Sequence, residues 1–269
     1  MNLPLKASLS DAWHDIRSAL HNHHLTTTLG WQDVATRYRR SRVGAFWLTI
    51  NMAVMIAALG FVFGTLFGQP MNEFLPYLAI GLIVWGFLST VVGEGCTGFV
   101  LAEGIILQVR MPLFTHVMRI LWRNIVILGH NLLILPILFL VFMKPVSPLA
   151  LLAIPGFALL VFNAAWMMLV LAVACARFRD MTQIVQNVMQ VLFYLTPIIW
   201  SAALLPDRAG TSMLDLNPFY HLISIVRAPL LGEVPTFMSW VFSGLMMICG
   251  WAVALLFFGY YRKRVPYWL

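Results

Sequence analysis

The chain has 269 residues, 61 % of them hydrophobic and 10 % charged, with a mean hydropathy of +0.86. Ordinary soluble domains carry about 45–50 % apolar and about 25 % charged residues, so a soluble enzyme is excluded. At about 20 apolar residues per crossing, the length holds about six membrane helices with short connections and no separate soluble domain. The formal charge of +7 comes from basic residues beside apolar runs, where anionic headgroups attract them. The basicity reads as topology, with no nucleic-acid partner expected.

Residues 1–28 form a polar leader containing Asp11, Asp15 and four histidines. It has no long apolar stretch, so no cleavable secretory signal is expected and insertion begins at a later helix. His21, His23 and His24 read as solvated and not as a metal site. Residues 29–43 mix Trp31, Val34 and Tyr38 with clustered arginines, the composition of an amphipathic helix on the inner, cytoplasmic surface of the membrane. Apolar runs bounded by Gly, Pro or charge then predict spanning helices near 44–67, 74–93, 114–142, 149–174, 183–201 and 237–260. With the amino terminus inside, only Lys144, Arg208 and Arg227 of the 17 Lys and Arg residues fall outside. That bias predicts that both termini are cytoplasmic.

The longest outer connection is 202–236, and its run Phe219 to Leu231 is too apolar for a solvated loop yet too short to span. Short re-entrant outer helices before the last span are expected there. The predicted fold class is an all-α membrane protein with six transmembrane helices, an N-terminal amphipathic interface helix and that outer re-entrant feature. Residues 44–269 form one transmembrane domain. Cys96, Cys175 and Cys249 lie far apart without C-x-x-C spacing, so they are read as packing residues.

Motifs for chemistry on this chain itself are lacking. No G-x-x-x-x-G-K-[ST] phosphate loop exists, and Lys6, Lys144 and Lys263 follow Leu5, Met143 and Arg262 and not glycine. There is no D-x-D pair for nucleotide-sugar transfer, and no histidine has an aspartate five positions later.

Four constellations remain. Arg37, Arg39, Arg40 and Arg42, with Tyr38 among them, stand directly before the first span. Planar guanidinium forks suit bidentate binding of phosphate oxygens, as in a pyrophosphate-linked lipid; the alternative is a topology anchor that snorkels to headgroups. In the third span His116, Arg119, Arg123 and His130 fall within about 60° of one helix face. Arginine inside a membrane normally faces a cavity or a partner, although interfacial depth would also explain the stripe. In the fifth span Gln183, Gln186, Asn187, Gln190 and Tyr194 form an amide face within about 100° of arc. It either joins helices or offers sugar hydroxyls a wall to slide along, and aromatic residues such as Trp47 are stacking candidates for sugar rings. The inner loop with Arg177, Phe178, Arg179 and Asp180 gathers charges around one ring that can dock into a cytoplasmic partner, or is a solvated positive-inside loop.

The runs Arg37-Tyr-Arg-Arg-Ser-Arg-Val-Gly-Ala-Phe-Trp47, Val109-Arg-Met-Pro112, Ala176-Arg-Phe-Arg-Asp180 and Leu216-Asn-Pro-Phe-Tyr-His221 resemble, in order and spacing from about 30 to 260, the membrane subunits of ABC-2 type polysaccharide exporters. That family covers O-antigen, capsule and teichoic-acid permeases. The resemblance implies a homodimer paired with two copies of a separate ABC ATPase chain, exporting a lipid-diphosphate-linked polysaccharide across a bacterial inner membrane. It implies no cofactor on this chain, since ATP and magnesium belong to the partner ATPase. Two other readings remain open: a multi-span transferase on a lipid-linked sugar, with Glu94 and Glu103 as candidate acid or base, and an ABC-2 permease for a small hydrophobic substrate.

Overall fold

The computed structural model describes residues 5–38, 43–44, 46–202 and 213–269, and every regular element among them is a helix. In chain order these are α1 (Leu5–His21), α2 (His23–Tyr38), α3 (Phe46–Phe67), α4 (Met71–Thr97), α5 (Glu103–Gln108), α6 (Phe114–Leu132) and α7 (Ile134–Val141). After a 3-10 turn (Pro148–Leu152) follow α8 (Ala153–Arg177), α9 (Met181–Leu195), α10 (Pro218–Leu231), α11 (Phe237–Tyr261) and α12 (Val265–Trp268).

Five segments among the described residues are long and apolar enough to cross a membrane: α3, α4, α6 with α7, the 3-10 turn with α8, and α11. They coincide with five of the expected spans. The remaining one, near 183–201, is the 15-residue α9. Its helix stops at Leu195 because Pro197 drives Thr196 into an extended conformation (φ −92°, ψ 134°). At 1.5 Å per residue such a helix is about 22 Å long, short of the roughly 30 Å hydrocarbon core.

The spans share the burial unequally. The most apolar stretch of α4 is 72 % buried and that of α3 only 17 %. Helix α4 packs chiefly on α8, α6 and α3, while α8 also packs on α11 and α10. Small residues set the closest approaches: a Cβ on Gly60 or Gly64 of α3 would meet Leu75 or Met71 of α4 at 2.1 and 2.8 Å, a small-x-x-x-small contact. Between α8 and α11 the Asn163 Nδ2 donates to the Ser243 carbonyl at 3.2 Å and its Oδ1 accepts from Trp166 Nε1 at 3.0 Å. The α6–α7 break at Leu133 falls just before Pro136, which has no N–H for the helix ladder.

The leader differs most from expectation. Residues 5–21 are helical, and Ala12, Ile16 and Ala19, spaced as one helix face, are buried. That face lies on α11 and α6. The Asp15 carboxylate accepts from the Phe114 and Leu113 amides at 3.0 and 3.3 Å, capping the first turn of α6. It also pairs with Arg262 Nη2 at 2.9 Å. Burial raises the Asp15 pKa above the ordinary value, against the downward pull of the Phe114 amide and Arg262. Nearby, the hydrogen bond from Lys263 holds the Asp11 carboxyl below its ordinary value. A leader that looked merely polar is therefore docked, because its few apolar residues share one face and its acids meet cations at the end of α11. Helix α2 likewise begins earlier than the expected residue 29, at His23, while residues 39–42 of the expected 29–43 helix lie outside the described residues.

A Cβ at Gly156 of α8 would sit 2.5 Å from the Ile225 carbonyl oxygen of α10, whereas one at Gly129 of α6 meets nothing within 4 Å. Gly156→Ala should therefore lower stability by about 1–3 kcal/mol, as overpacking against backbone does. Gly129→Ala should be neutral or stabilising by up to about 1 kcal/mol. Thermal unfolding of the two variants in one detergent checks the contrast.

Candidate functional site

The arginine stripe of α6 meets two acids of its own chain. Arg119 Nε donates to Asp33 Oδ2 of α2 at 2.7 Å, and its Nη2 bonds the other carboxylate oxygen. Arg123 Nη2 donates to Glu94 Oε2 of α4 at 2.6 Å, with Nη1 at 3.5 Å from Asp33 Oδ2. Asn124 Nδ2 donates to the same Glu94 oxygen at 2.6 Å. Helix α2 can approach because residue 30 is glycine: a Cβ there would lie 3.0 Å from the Arg119 carbonyl oxygen. The expected substrate contacts Arg119 and Arg123 are thus engaged in holding α2 and α4 onto α6. Further along α6, His130 Nδ1 lies 2.8 Å from the Val126 carbonyl oxygen and its ring is edge-on to Phe46. His116 is buried, and its Nε2 has no hydrogen-bond partner among the described residues.

Asp33 and Glu94 are the residues that sequence reasoning missed as partners. Asp33 is the sole acid in residues 29–43, and an acid inside an arginine-rich interfacial helix was the available signal. Glu94 is the candidate acid or base of the transferase reading, a use that its contacts with Arg123 and Asn124 disfavour.

The arginines before α3 divide. Arg37 and Tyr38 form the end of α2, and Arg39, Arg40 and Arg42 lie outside the described residues. Trp47, in the first turn of α3, is 52 % exposed.

Helix α9 presents Gln183, Gln186, Asn187, Gln190 and Tyr194 outward, with Gln183 Nε2 donating to Asn187 Oδ1 at 3.1 Å. Met189, on its other face, is buried against the core. A groove of about 440 Å³ between α3, α4 and α9 includes Gln186 and Gln190 in its lining. On the other side of α3, a cavity of about 250 Å³ gathers Asn51, Thr90, Asn124 and Asn131. The under-packed α3 is therefore flanked by amides, groups that can exchange hydrogen bonds with a hydroxylated chain.

At the end of the bundle that holds the carboxyl-terminal segment, Arg177, Phe178, Arg179 and Asp180 are all exposed. The Arg177 guanidinium lies 5.4 Å from the Phe178 ring centre and 5.7 Å from that of Trp268, so the α8–α9 turn is tied to the carboxyl-terminal segment. The Leu216 to His221 run is structural. Asn217 Oδ1 caps α10 by accepting from Phe219 and Tyr220 amides at 3.0 and 3.3 Å, with Pro218 at the first helical position. His221 Nδ1 lies 3.0 Å from Ser239 Oγ, joining α10 to α11.

These features define an integral membrane protein built as a helical transport domain, with α2 pinned to its bundle and a polar face around its least-packed span. The chain belongs to the ABC-2 type transporter family, whose model matches residues 24–231, from the first turn of α2 to the last residue of α10. It is similar to the O-antigen export system permease protein RfbA of Myxococcus xanthus, at 26 % identity over 220 residues, 79 % of this chain and 82 % of that protein. It is also similar to the Klebsiella pneumoniae protein of the same name, at 23 % identity over 201 residues, 71 % of this chain and 74 % of the relative.

If Arg119 acts by holding α2, its loss and that of Asp33 should not add. A double-mutant cycle with Arg119→Gln and Asp33→Asn should give a coupling of about 1–3 kcal/mol in thermal or denaturant stability. Arg119→Lys should recover less than half of it, because an ammonium cannot make the two-point contact. Additive losses would separate the two residues.

Proposed function

We propose that this chain is the membrane subunit of an ATP-driven exporter that moves a lipid-diphosphate-linked polysaccharide of the O-antigen class across a bacterial inner membrane. It works as a homodimer with two copies of a cytoplasmic ABC ATPase, which supplies ATP and magnesium, and both of its termini are cytoplasmic. The observation that carries this reading is the outward amide face of α9 beside the under-packed α3. Exposed amides at membrane depth are unfavourable against lipid and belong against protein or a water-filled path. A second copy placed on this face by two-fold symmetry encloses a route lined by Gln183, Gln186, Gln190 and Tyr194, with Trp47 near its inner mouth. The names of the two relatives support the cargo class, and the amide lining favours a hydroxylated cargo over a small hydrophobic one.

In this reading the lipid diphosphate enters at Arg37, Arg39, Arg40 and Arg42, and ATP hydrolysis reaches the spans through Arg177, Phe178, Arg179 and Asp180. Helix α9, short as it is, serves as the fifth of six crossings together with the segment that follows it. Reconstitution tests the whole: the complex should contain two permease chains and two ATPase chains by native mass measurement. A monomeric permease exporting glycan at full rate would refute it.

Two substitutions separate the roles. Replacing pairs of the four arginines with Gln should reduce lipid-diphosphate-stimulated ATPase activity and export, each charge-assisted bond being worth about 1.5–3 kcal/mol, while Lys replacements retain part of both. Equal behaviour of Gln and Lys variants, with export unchanged, leaves only an anchor. Phe178→Ala should weaken ATPase association by about 2 kcal/mol, as loss of an aromatic anchor does, or uncouple hydrolysis from export, with permease dimerisation unaffected. Normal association and parental export would remove the loop from coupling.

A further inference from the structure

At the end of the bundle opposite the α8–α9 turn, a polar cavity of about 750 Å³ opens between the start of α4, α10 and the loops beside them. At its base stands Arg227, a guanidinium that is only 6 % exposed. One Nη1 proton is spent on the Pro197 carbonyl at 2.7 Å, and the group lies 3.9 Å over the Tyr77 ring. Among the described residues no carboxylate comes within ion-pair distance of it. A buried cation without an anion is costly, and arginine has five N–H donors to satisfy. The α6 arginines of the same chain are each paired, so Arg227 stands out.

The rest of the lining indicates what would complete it. Lys144, half-buried, adds a second positive group, while Glu73 and Glu233 are exposed. None of these three is in an ion pair among the described residues. Among the described lining residues, two cations, one of them buried at the base, and two exposed carboxylates sum to zero. The complementary ligand is therefore neutral overall, with its anion deep and its cation near the opening. Val234, which also lines the cavity, is 70 % exposed, and an apolar edge beside a polar pocket suits a molecule with an acyl tail more than a soluble one.

We propose that this cavity binds the headgroup of an aminophospholipid from the outer leaflet, its phosphodiester against Arg227 and Lys144 and its primary ammonium against Glu73 and Glu233. The assignment to the outer leaflet rests on the proposed orientation; lipid retention does not depend on the transport reading, so the two fail separately.

The test is native mass spectrometry of the detergent-extracted complex titrated with phosphatidylethanolamine, phosphatidylglycerol and phosphatidylcholine of identical chains. Phosphatidylethanolamine should be retained about fivefold over the other two, the discrimination that one or two partly exposed ion contacts give. Combined Glu73→Gln and Glu233→Gln should bring it down to the phosphatidylglycerol level, and Lys144→Gln should lower the retention of both. These are surface or half-buried positions, and each variant's subunit mass and thermal midpoint confirm that the fold is kept. Equal retention of the three lipids by the parent, or an ethanolamine preference that survives the double substitution, overturns the proposal. So does displacement of the lipid by glycerophosphoethanolamine at equal concentration, which makes the ligand soluble, or by a neutral oligosaccharide, which makes the cavity a sugar subsite.

Discussion

Arg119 and Arg123 stand one helical turn apart on α6, and the placement of α2 and α4 around them follows from what two guanidiniums require when water is scarce. An unpaired arginine in such surroundings is costly, and each here finds a carboxylate on another helix, Asp33 on α2 and Glu94 on α4. Arg119 engages its acid at two points, which fixes orientation as well as distance. Gly30 then lets the α2 backbone come down on α6. Breaking one partner leaves the other charge partly buried, so the network resists loss more than it adds to net stability.

A second set of charges ties the remainder of that end. Asp15 joins α1 to the amide start of α6 and to Arg262 beyond α11, and Asp11 pairs with Lys263 at 2.7 Å. Arg177 bridges Phe178 and Trp268. The amino-terminal helix, the α8–α9 turn and the carboxyl-terminal segment are thus neighbours through specific contacts, so a partner bound at this end would act on several spans together. The opposite end holds its shape by other means: the Asn217 cap, the His221–Ser239 contact and Arg227 on Pro197 fasten α10.

Between these ends α3 and α9 remain lightly packed on their outer faces, while α4 is enclosed. The sequence carried the amide face of α9 openly, since Gln183, Gln186, Gln190 and Tyr194 recur at helical spacing and polar residues in an apolar run are conspicuous. It carried the α6 stripe just as openly, yet the same spacing served two purposes. Arg119 and Arg123 turned inward to acids 86 and 29 residues away in sequence, which periodicity within one helix cannot indicate.

The sequence by itself determined the class of protein, five of its candidate spans, the bias of basic residues and the family. These follow from the length of apolar runs against a bilayer of fixed thickness and from motifs read locally. Even the early end of α9 was written in Pro197, whose steric effect on Thr196 is local. Only the tertiary structure decided that the leader is a docked helix, that Asp33 and Glu94 neutralise the α6 arginines, and that Arg227 sits buried with a ring and a carbonyl for company. Those outcomes depend on which helices meet. A side chain's hydration and ion partners are set by the neighbours that packing brings to it, and those neighbours lie far away along the chain.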